Sequence, residues 1–214
     1  MNKTEWFRRN TWTDADRNDF NSRLGRSRGG SRKAQYLRLQ ALHLAQAGLH
    51  LAAIELLDRL FAEFPDKVQL ALAHAQKAES LAKIGQPDAA IDEYRECLQT
   101  ERDFPNVRTN AWLDFCWLVL EMHRTFLYDE VRKVVEEFRN EGGLKFPAIE
   151  YRYAVIQAML AEARGEISRA REFAQQALVQ AEKNHSGLRY HPTVGLVGTE
   201  SNAFAERLRI LAAS

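Results

Sequence analysis

The stretch QAGLHLAAIELLDRLFAEFPD, residues 46–66, contains a spacing that returns twice more along the chain. Within it, Gly48 is followed five residues later by Ala53. An internal repeat is the first feature to test in any sequence, because overlooking one misassigns the whole fold. The other two copies are Gly85 with Ala90 in KIGQPDAAIDEYRECL, residues 83–98, and Gly165 with Ala170 in EARGEISRAREFAQQAL, residues 162–178.

Small or apolar residues flank each glycine at the three- and four-residue steps of an amphipathic helix. The pattern predicts a unit of helix A, a turn at the glycine, and helix B. Glycine suits that turn because a helix often ends in left-handed backbone, and small residues let two helices approach closely. Before the glycines these residues are Ala41, Leu44, Ala78, Leu81, Ala158 and Ala161, and after them Leu57, Leu60, Tyr94, Cys97, Ala174 and Ala177.

A fourth, divergent unit is predicted in WLDFCWLVLEMHRTFLYDEVRKVVEEFRNEG, residues 112–142. In this alignment Phe126 replaces the glycine, and Val119 and Val131 replace the two alanines. Its helix B is expected to begin near YDEV, residues 128–131. The chain is therefore expected to be all-α, with about four helix-turn-helix units.

This pattern resembles the tetratricopeptide repeat (TPR) family, whose units carry small residues at these crossing points and often close with a proline, as at Pro65. The resemblance implies a right-handed superhelical solenoid with N- and C-terminal capping helices. The four helix B slots are 37, 41 and 39 residues apart, whereas TPR units repeat at about 34. HEAT-type or armadillo repeats, at roughly 40–47 residues, stay open as alternatives.

The flanks divide the chain into three predicted segments, namely 1–33 (N-terminal capping segment and basic linker), 34–183 (repeat array) and 184–214 (long loop and C-terminal capping helix). In the first, Thr13 and Asp16 are spaced nearly as a capping box, and Phe20 and Leu24 share one helix face. Its aromatic residues are expected to pack, with an aromatic ligand platform as the alternative: Trp6, Phe7 and Trp12.

The last predicted helix begins near Ser201 or Asn202 and presents Phe204, Leu208 and Leu211 on one face. The terminal unit of a repeat array has to cover its exposed apolar face. We therefore expect this helix to act as a cap, with a fold-back into the groove of the array as the alternative.

Composition and motifs argue against catalysis. The chain of 214 residues carries a formal net charge of +1, so electrostatic recognition has to be local. No nucleophile-elbow, zinc-protease or phosphate-loop motif is present, and no metal or cofactor site is expected. The two cysteines are too few for a disulfide framework. We expect them to be free thiols, which is typical of proteins in the reducing cytoplasm. No apolar run is long enough to span a membrane.

The TPR resemblance implies that helix A of each unit lines a concave groove, which would hold a peptide or an amphipathic helix of a partner protein. The alternatives are that the protein's own termini cover this strip, or that an uncovered strip joins two copies of the chain. The positions implied are Gln35, Arg38, Leu42, Leu72, Ala75, Glu79, Leu113, Cys116, Leu120, Arg152, Val155 and Met159.

A second surface is the basic stretch RLGRSRGGSRK, residues 23–33, with Arg23, Arg26, Arg28, Arg32 and Lys33. We interpret it as an exposed linker between the capping helix and the first helix A.

The leading function predicted for the chain is a non-catalytic interaction scaffold that binds a protein or peptide. The alternative is nucleic-acid binding, in which arginines hold phosphates and tryptophans stack on bases.

Overall fold

A computed structural model describes residues 6–139, 146–198 and 203–213. These residues form an all-helical structure with ten α-helices and one short 3₁₀ turn, Thr125–Leu127. The α-helices are α1 (Asp14–Arg26), α2 (Gly30–Gln46), α3 (His50–Glu63), α4 (Leu70–Lys83), α5 (Pro87–Asp103), α6 (Ala111–Glu121), α7 (Tyr128–Phe138), α8 (Pro147–Ala163), α9 (Ile167–Ala181) and α10 (Ala205–Ala213). None of the described helices combines the length and the apolar character that a membrane span requires.

Two compact units make up the chain, unit 1 (Met1–Ala111) and unit 2 (Trp112–Ser214). In unit 1, α2 packs on α3, α3 on α4, and α4 on α5. In unit 2, α8 packs on α9, and α9 on α10. The boundary falls inside the predicted array, after its second helix pair, and the three segments 1–33, 34–183 and 184–214 stay a prediction.

The N-terminal segment of unit 1 packs against α1 and α2. The capping box is confirmed: the Asp16 amide donates to the Thr13 hydroxyl oxygen, and the Asp16 carboxylate accepts from the Thr13 amide. Phe20 and Leu24 are fully buried. Trp6 packs on Phe20 and Tyr36, with ring centroids 5.3 and 4.8 Å apart. Trp6 thus belongs to the apolar core of this unit, and Phe7 and Trp12 are partly buried and pack against that core.

Three helix pairs turn at the predicted glycines. Gly48, Gly85 and Gly165 have φ values of 80°, 78° and 74°, the left-handed region that L-residues other than glycine rarely adopt. In each turn, the amide after the glycine donates to a carbonyl five residues earlier, for example Leu49 to Leu44 at 2.8 Å. This is the longer hydrogen bond of a Schellman motif, which satisfies an otherwise unpaired helix carbonyl.

The turn between α6 and α7 corrects the alignment of the fourth unit. His123, rather than Phe126, occupies the left-handed position, with φ of 52°. The Arg124 amide donates to the Val119 carbonyl at 3.0 Å, the same bond as in the glycine turns. The three residues of the 3₁₀ turn then precede α7 and include Phe126, which is 78% exposed. Helix B begins at Tyr128, within the predicted stretch 128–131, whereas the predicted register of helix A is wrong by three residues.

The C-terminal segment of unit 2 contacts three of its helices, α6, α8 and α9. The Gly195 carbonyl accepts a 2.8 Å hydrogen bond from the Ala148 amide at the start of α8. Phe204, Leu208 and Leu211 are buried, as predicted from their spacing. The Phe204 ring meets the Trp117 ring of α6 edge-on, at 4.9 Å between centroids. The expected cap residues Ser201 and Asn202 lie outside the described residues.

Candidate binding surfaces

In unit 1, the positions expected to line the groove differ in exposure. Gln35 and Glu79 are exposed, whereas Leu42 and Leu72 are half-buried. Ala75 is buried, so it contributes to the helix packing and offers little surface. Arg38 is half-buried, and its Nε donates to the Gln69 side-chain oxygen at 2.6 Å. Burial lowers the pKa of Arg38 from its usual value.

In unit 2, the structure corrects four of the expected groove positions. Those four side chains lie in the core, with at most 1% of their surface exposed: Leu113, Cys116, Leu120 and Val155. The three-residue register error explains Cys116 and Leu120, because the helix A slots of α6 shift to other residues. Of the unit 2 positions, Arg152 and Met159 keep part of their surface accessible.

Trp117 lies on this face of unit 2 and was not predicted. The Arg152 guanidinium lies 5.2 Å from the centre of its ring and makes a 2.7 Å ion pair with Asp114. Phe204 contacts the same indole ring. The C-terminal segment therefore covers part of the face that the TPR resemblance assigns to a partner. The corrected register of α6 predicts Trp117 as a groove position. Trp117 precedes His123 by six residues, as Leu42 precedes Gly48.

The exposed linker predicted within 23–33 is short, because α1 continues through Arg26 and α2 begins at Gly30. Arg23 pairs within α1 with Asp19 at 2.9 Å. Lys33 lies 5.3 Å from the Phe64 ring centroid. Exposed cations of this stretch are Arg26, Arg28 and Arg32.

Unit 2 also carries a surface that the sequence did not reveal, a row of three adjoining pockets along α7, α8 and α9. The near pocket has a volume of about 290 Å³, and its lining includes Thr125 and Arg164. The middle pocket, of about 280 Å³, shares Arg132, Leu160 and Arg164 with it. The far pocket, of about 630 Å³, shares Arg139 and Tyr153 with the middle one. We refer to the three together as the trough.

One stripe of α8 forms the floor of the trough. Tyr153, Gln157, Leu160 and Arg164 line the middle pocket at three- and four-residue steps, so they share one helix face. Arg152 and Met159 belong to a different stripe of the same helix. The trough and the expected groove are therefore separate surfaces of α8.

Four arginines line the middle pocket together with one aromatic ring, that of Tyr153. The Arg139 guanidinium lies 4.3 Å from the centre of the Tyr153 ring and makes a 2.7 Å ion pair with Glu150. Arg169 lies 5.8 Å from the centre of the Phe173 ring. A guanidinium that stacks on a ring keeps its N–H edge available for hydrogen bonds. The middle pocket thus offers mainly polar and charged groups for recognition.

Neither cysteine is suited to nucleophilic chemistry. Both thiols are buried and unpaired. Burial raises the pKa of Cys97 to about 12, and it also raises the pKa of Cys116. A thiol in this state holds its proton, whereas a reactive cysteine needs a lowered pKa and access to solvent. Among the described residues, no group of three histidine, cysteine or acidic side chains could hold a metal ion.

Comparison with family models, curated proteins and solved structures found no match to this chain.

Proposed function

We propose that this protein is a non-catalytic interaction module built from about four TPR-like helical units, and that it binds a short segment of a partner protein in the trough. The helical repeat is supported by three predicted glycines in one shared turn geometry and by the matching backbone of His123. The buried, unpaired thiols suit a reducing compartment such as the cytoplasm.

The observation that carries the proposal is the continuity of the trough. A single small molecule typically occupies one pocket of about 300–1,000 Å³. Here, each of three pockets shares lining residues with the next one along the trough. Apolar groups such as Leu160 and Val179 alternate with charged ones along it. An extended peptide matches this shape, because its successive side chains can enter successive pockets.

A peptide-display selection against the full chain tests the proposal. Selected peptides would be titrated against the wild type and against Val179→Asp and Tyr153→Ala, which change the trough. Leu51→Asp is the matched control, because Leu51 is an exposed leucine of unit 1 (72%) as Val179 is an exposed valine of unit 2 (57%). Circular dichroism would confirm that each variant is folded.

We expect both trough variants to weaken binding at least about fivefold, which corresponds to roughly 1 kcal/mol. The control should bind like the wild type. A selection that yields peptides indifferent to both trough variants would contradict the proposal, and so would a selection that yields none.

The second candidate function is nucleic-acid binding, which the exposure of Arg26, Arg28 and Arg32 favours. Phosphate contacts of this kind weaken steeply with salt. A triple change of these arginines to glutamine should abolish a salt-dependent mobility shift of labelled single-stranded DNA. No shift of the wild type at low salt would exclude this function.

A further inference from the structure

One carboxylate in the middle pocket is shared by two arginines. Glu166 Oε1 makes a 3.2 Å ion pair with Arg164 Nε, and Glu166 Oε2 accepts a hydrogen bond from Arg169 Nη1 at 3.4 Å. Glu166 is the N-cap residue of α9, yet its side chain makes no capping hydrogen bond. A capping carboxylate normally accepts from the first backbone amides of its helix. Here the carboxylate is directed to the guanidinium pair instead.

Both of these arginines retain capacity for a second acceptor. Each guanidinium has five N–H donors, and their side chains are 53% and 58% exposed. Arg169 is steadied by the Phe173 ring beneath it. The middle pocket therefore presents two cations toward solvent for one bound carboxylate. An acidic side chain from a ligand can join Glu166 there or replace it.

The far pocket has the opposite requirement. Oε1 of Glu150 and Oε1 of Gln180 are buried, and neither has a hydrogen-bond partner among the described residues. Both residues line this pocket, together with Glu172. Buried acceptors without partners are rare and costly in native proteins. A donor on a ligand, such as a guanidinium or an ammonium, would satisfy them, and the volume of about 630 Å³ admits one.

The charges along the trough exclude a polyanion as its natural occupant. Five acidic residues line it against four arginines. A nucleic-acid strand would place phosphates against those carboxylates along its whole length, with no excess of cations to offset the repulsion. A peptide can instead alternate its charges to match.

We infer that the trough binds a peptide segment with one acidic and one basic side chain, the acid between Arg164 and Arg169 in the middle pocket and the base against Glu150 and Gln180 in the far pocket. The inference rests on the proposed function and names the chemistry of the partner segment. Glu166 then acts as an internal competitor, occupying the arginine pair when no partner is bound.

A fluorescein-labelled peptide of three Arg-Leu-Ala-Glu repeats is the probe, measured by fluorescence polarisation with the full chain. Its analogues replace every glutamate, or every arginine, by glutamine. We expect the wild type to bind the parent peptide at least about fivefold tighter than either analogue, a ratio in the range of one or two exposed charge-assisted contacts.

The variants assign each charge to its pocket. Arg164→Gln with Arg169→Gln should remove the preference for glutamate and keep the preference for arginine, while Gln180→Leu should do the reverse. Glu166→Gln should tighten the parent peptide about twofold or more, opposite in sign to the arginine changes. The control is Arg209→Gln, since Arg209 is an exposed arginine of α10.

Equal binding of the three peptides, or a Glu166→Gln variant that binds more weakly, would overturn the inference, as would tighter binding of oligothymidylate to the trough. If display-selected peptides still depend on Val179 and Tyr153, the proposed function survives that result. If neither the selected peptides nor the probe depends on the trough, the proposed function fails as well.

Discussion

The Glu101 carboxylate lies inside unit 1, where its Oε1 accepts hydrogen bonds from the backbone amide and the hydroxyl of Thr109, at 2.9 and 2.5 Å. The side chain of Glu101 is only 1% exposed. The Thr109 hydroxyl oxygen in turn accepts from the Ala111 amide at 3.0 Å, at the first residue of α6. One buried acid at the end of α5 thus fixes the chain that leads into α6.

Stability should depend on pH through this group. Burial raises the pKa of Glu101 above its ordinary 4.5, although the Thr109 hydrogen bonds and the charge of Arg108 oppose the shift. At pH values well below 4.5, the Glu101 carboxyl is protonated in both the folded and the unfolded state. As the pH rises from 4.5 through the folded-state pKa, the unfolded chain loses its proton first, so the free energy of unfolding falls.

Glu101→Gln should remove that loss while its amide oxygen still accepts from Thr109. We therefore expect the variant to gain stability relative to the wild type as the pH rises from 4 to 8. Urea unfolding at a series of pH values measures the difference. A constant difference across that range would show that Glu101 does not titrate as its surroundings require.

Loss of the Thr109 hydroxyl should destabilise unit 1. Thr109→Val keeps the shape of the side chain but removes the donor to Glu101 and the acceptor for the Ala111 amide. An unpaired buried group costs about 1–3 kcal/mol. Thr109→Ser retains the hydroxyl and is the control. Urea unfolding at pH 7 should separate the two, and equal stabilities would contradict the role of this hydrogen bond.

The turns offer a test with opposite signs. A Cβ on Gly48, Gly85 or Gly165 would meet no atom within 4 Å, so alanine there pays only for left-handed backbone, about 1–2 kcal/mol. His123→Gly should instead stabilise by roughly 0.5–1 kcal/mol, since strain is relieved and part of the gain is lost to a more flexible unfolded chain.

Gly30→Ala is the control for the turn variants, because Gly30 is the first residue of α2 and has no positive φ. We expect that change to be neutral or slightly stabilising. Thermal unfolding followed by circular dichroism measures the set. Stabilisation by Gly85→Ala together with destabilisation by His123→Gly would show that the shared turn geometry is wrong.

The helix pairs could be predicted because glycine spacing and apolar periodicity act locally. Gly48 indicates a turn, and Ala53 indicates the point where the two helices of one unit pack closely. The third turn escaped because histidine can adopt left-handed backbone without a distinctive sequence signal. The prediction therefore assigns the turn to Phe126 in place of His123, and every predicted helix A position of that unit is shifted by the same three residues.

The trough could not be predicted because its lining depends on which faces of α8 stay uncovered after packing. Buried apolar residues occur on more than one face of α8, and Ala154, Val155 and Ile156 are buried at three successive positions. Periodicity alone cannot choose an exposed stripe on such a helix. The pairing of Glu166 with Arg164 and Arg169 was equally hidden, since short-range charge pairs occur on most solvated helix ends.

Both thiols should resist modification in the native protein. Cys97 is fully buried, its pKa is raised to about 12, and its Sγ donates to the Ala71 carbonyl at 3.1 Å. Cys116 is fully buried as well. We expect no reaction with Ellman's reagent at pH 8 in the folded state and two equivalents after unfolding. Rapid labelling of either cysteine without denaturant would contradict the packing described here.

The contact between Phe204 and Trp117 should hold α10 in place. Phe204 is 6% exposed, and replacing a buried phenylalanine by alanine costs about 3–5 kcal/mol. Because α10 is only nine residues long, we expect Phe204→Ala to release it locally rather than to unfold unit 2. Ile210→Ala is the control on the same helix, since Ile210 is 51% exposed and surface changes usually stay within about 0.5 kcal/mol. Hydrogen exchange should show the α10 amides losing protection in Phe204→Ala alone, while α8 amides keep theirs. Equal protection of α10 in both variants would mean that other contacts, such as the Arg207–Glu162 ion pair, anchor this helix.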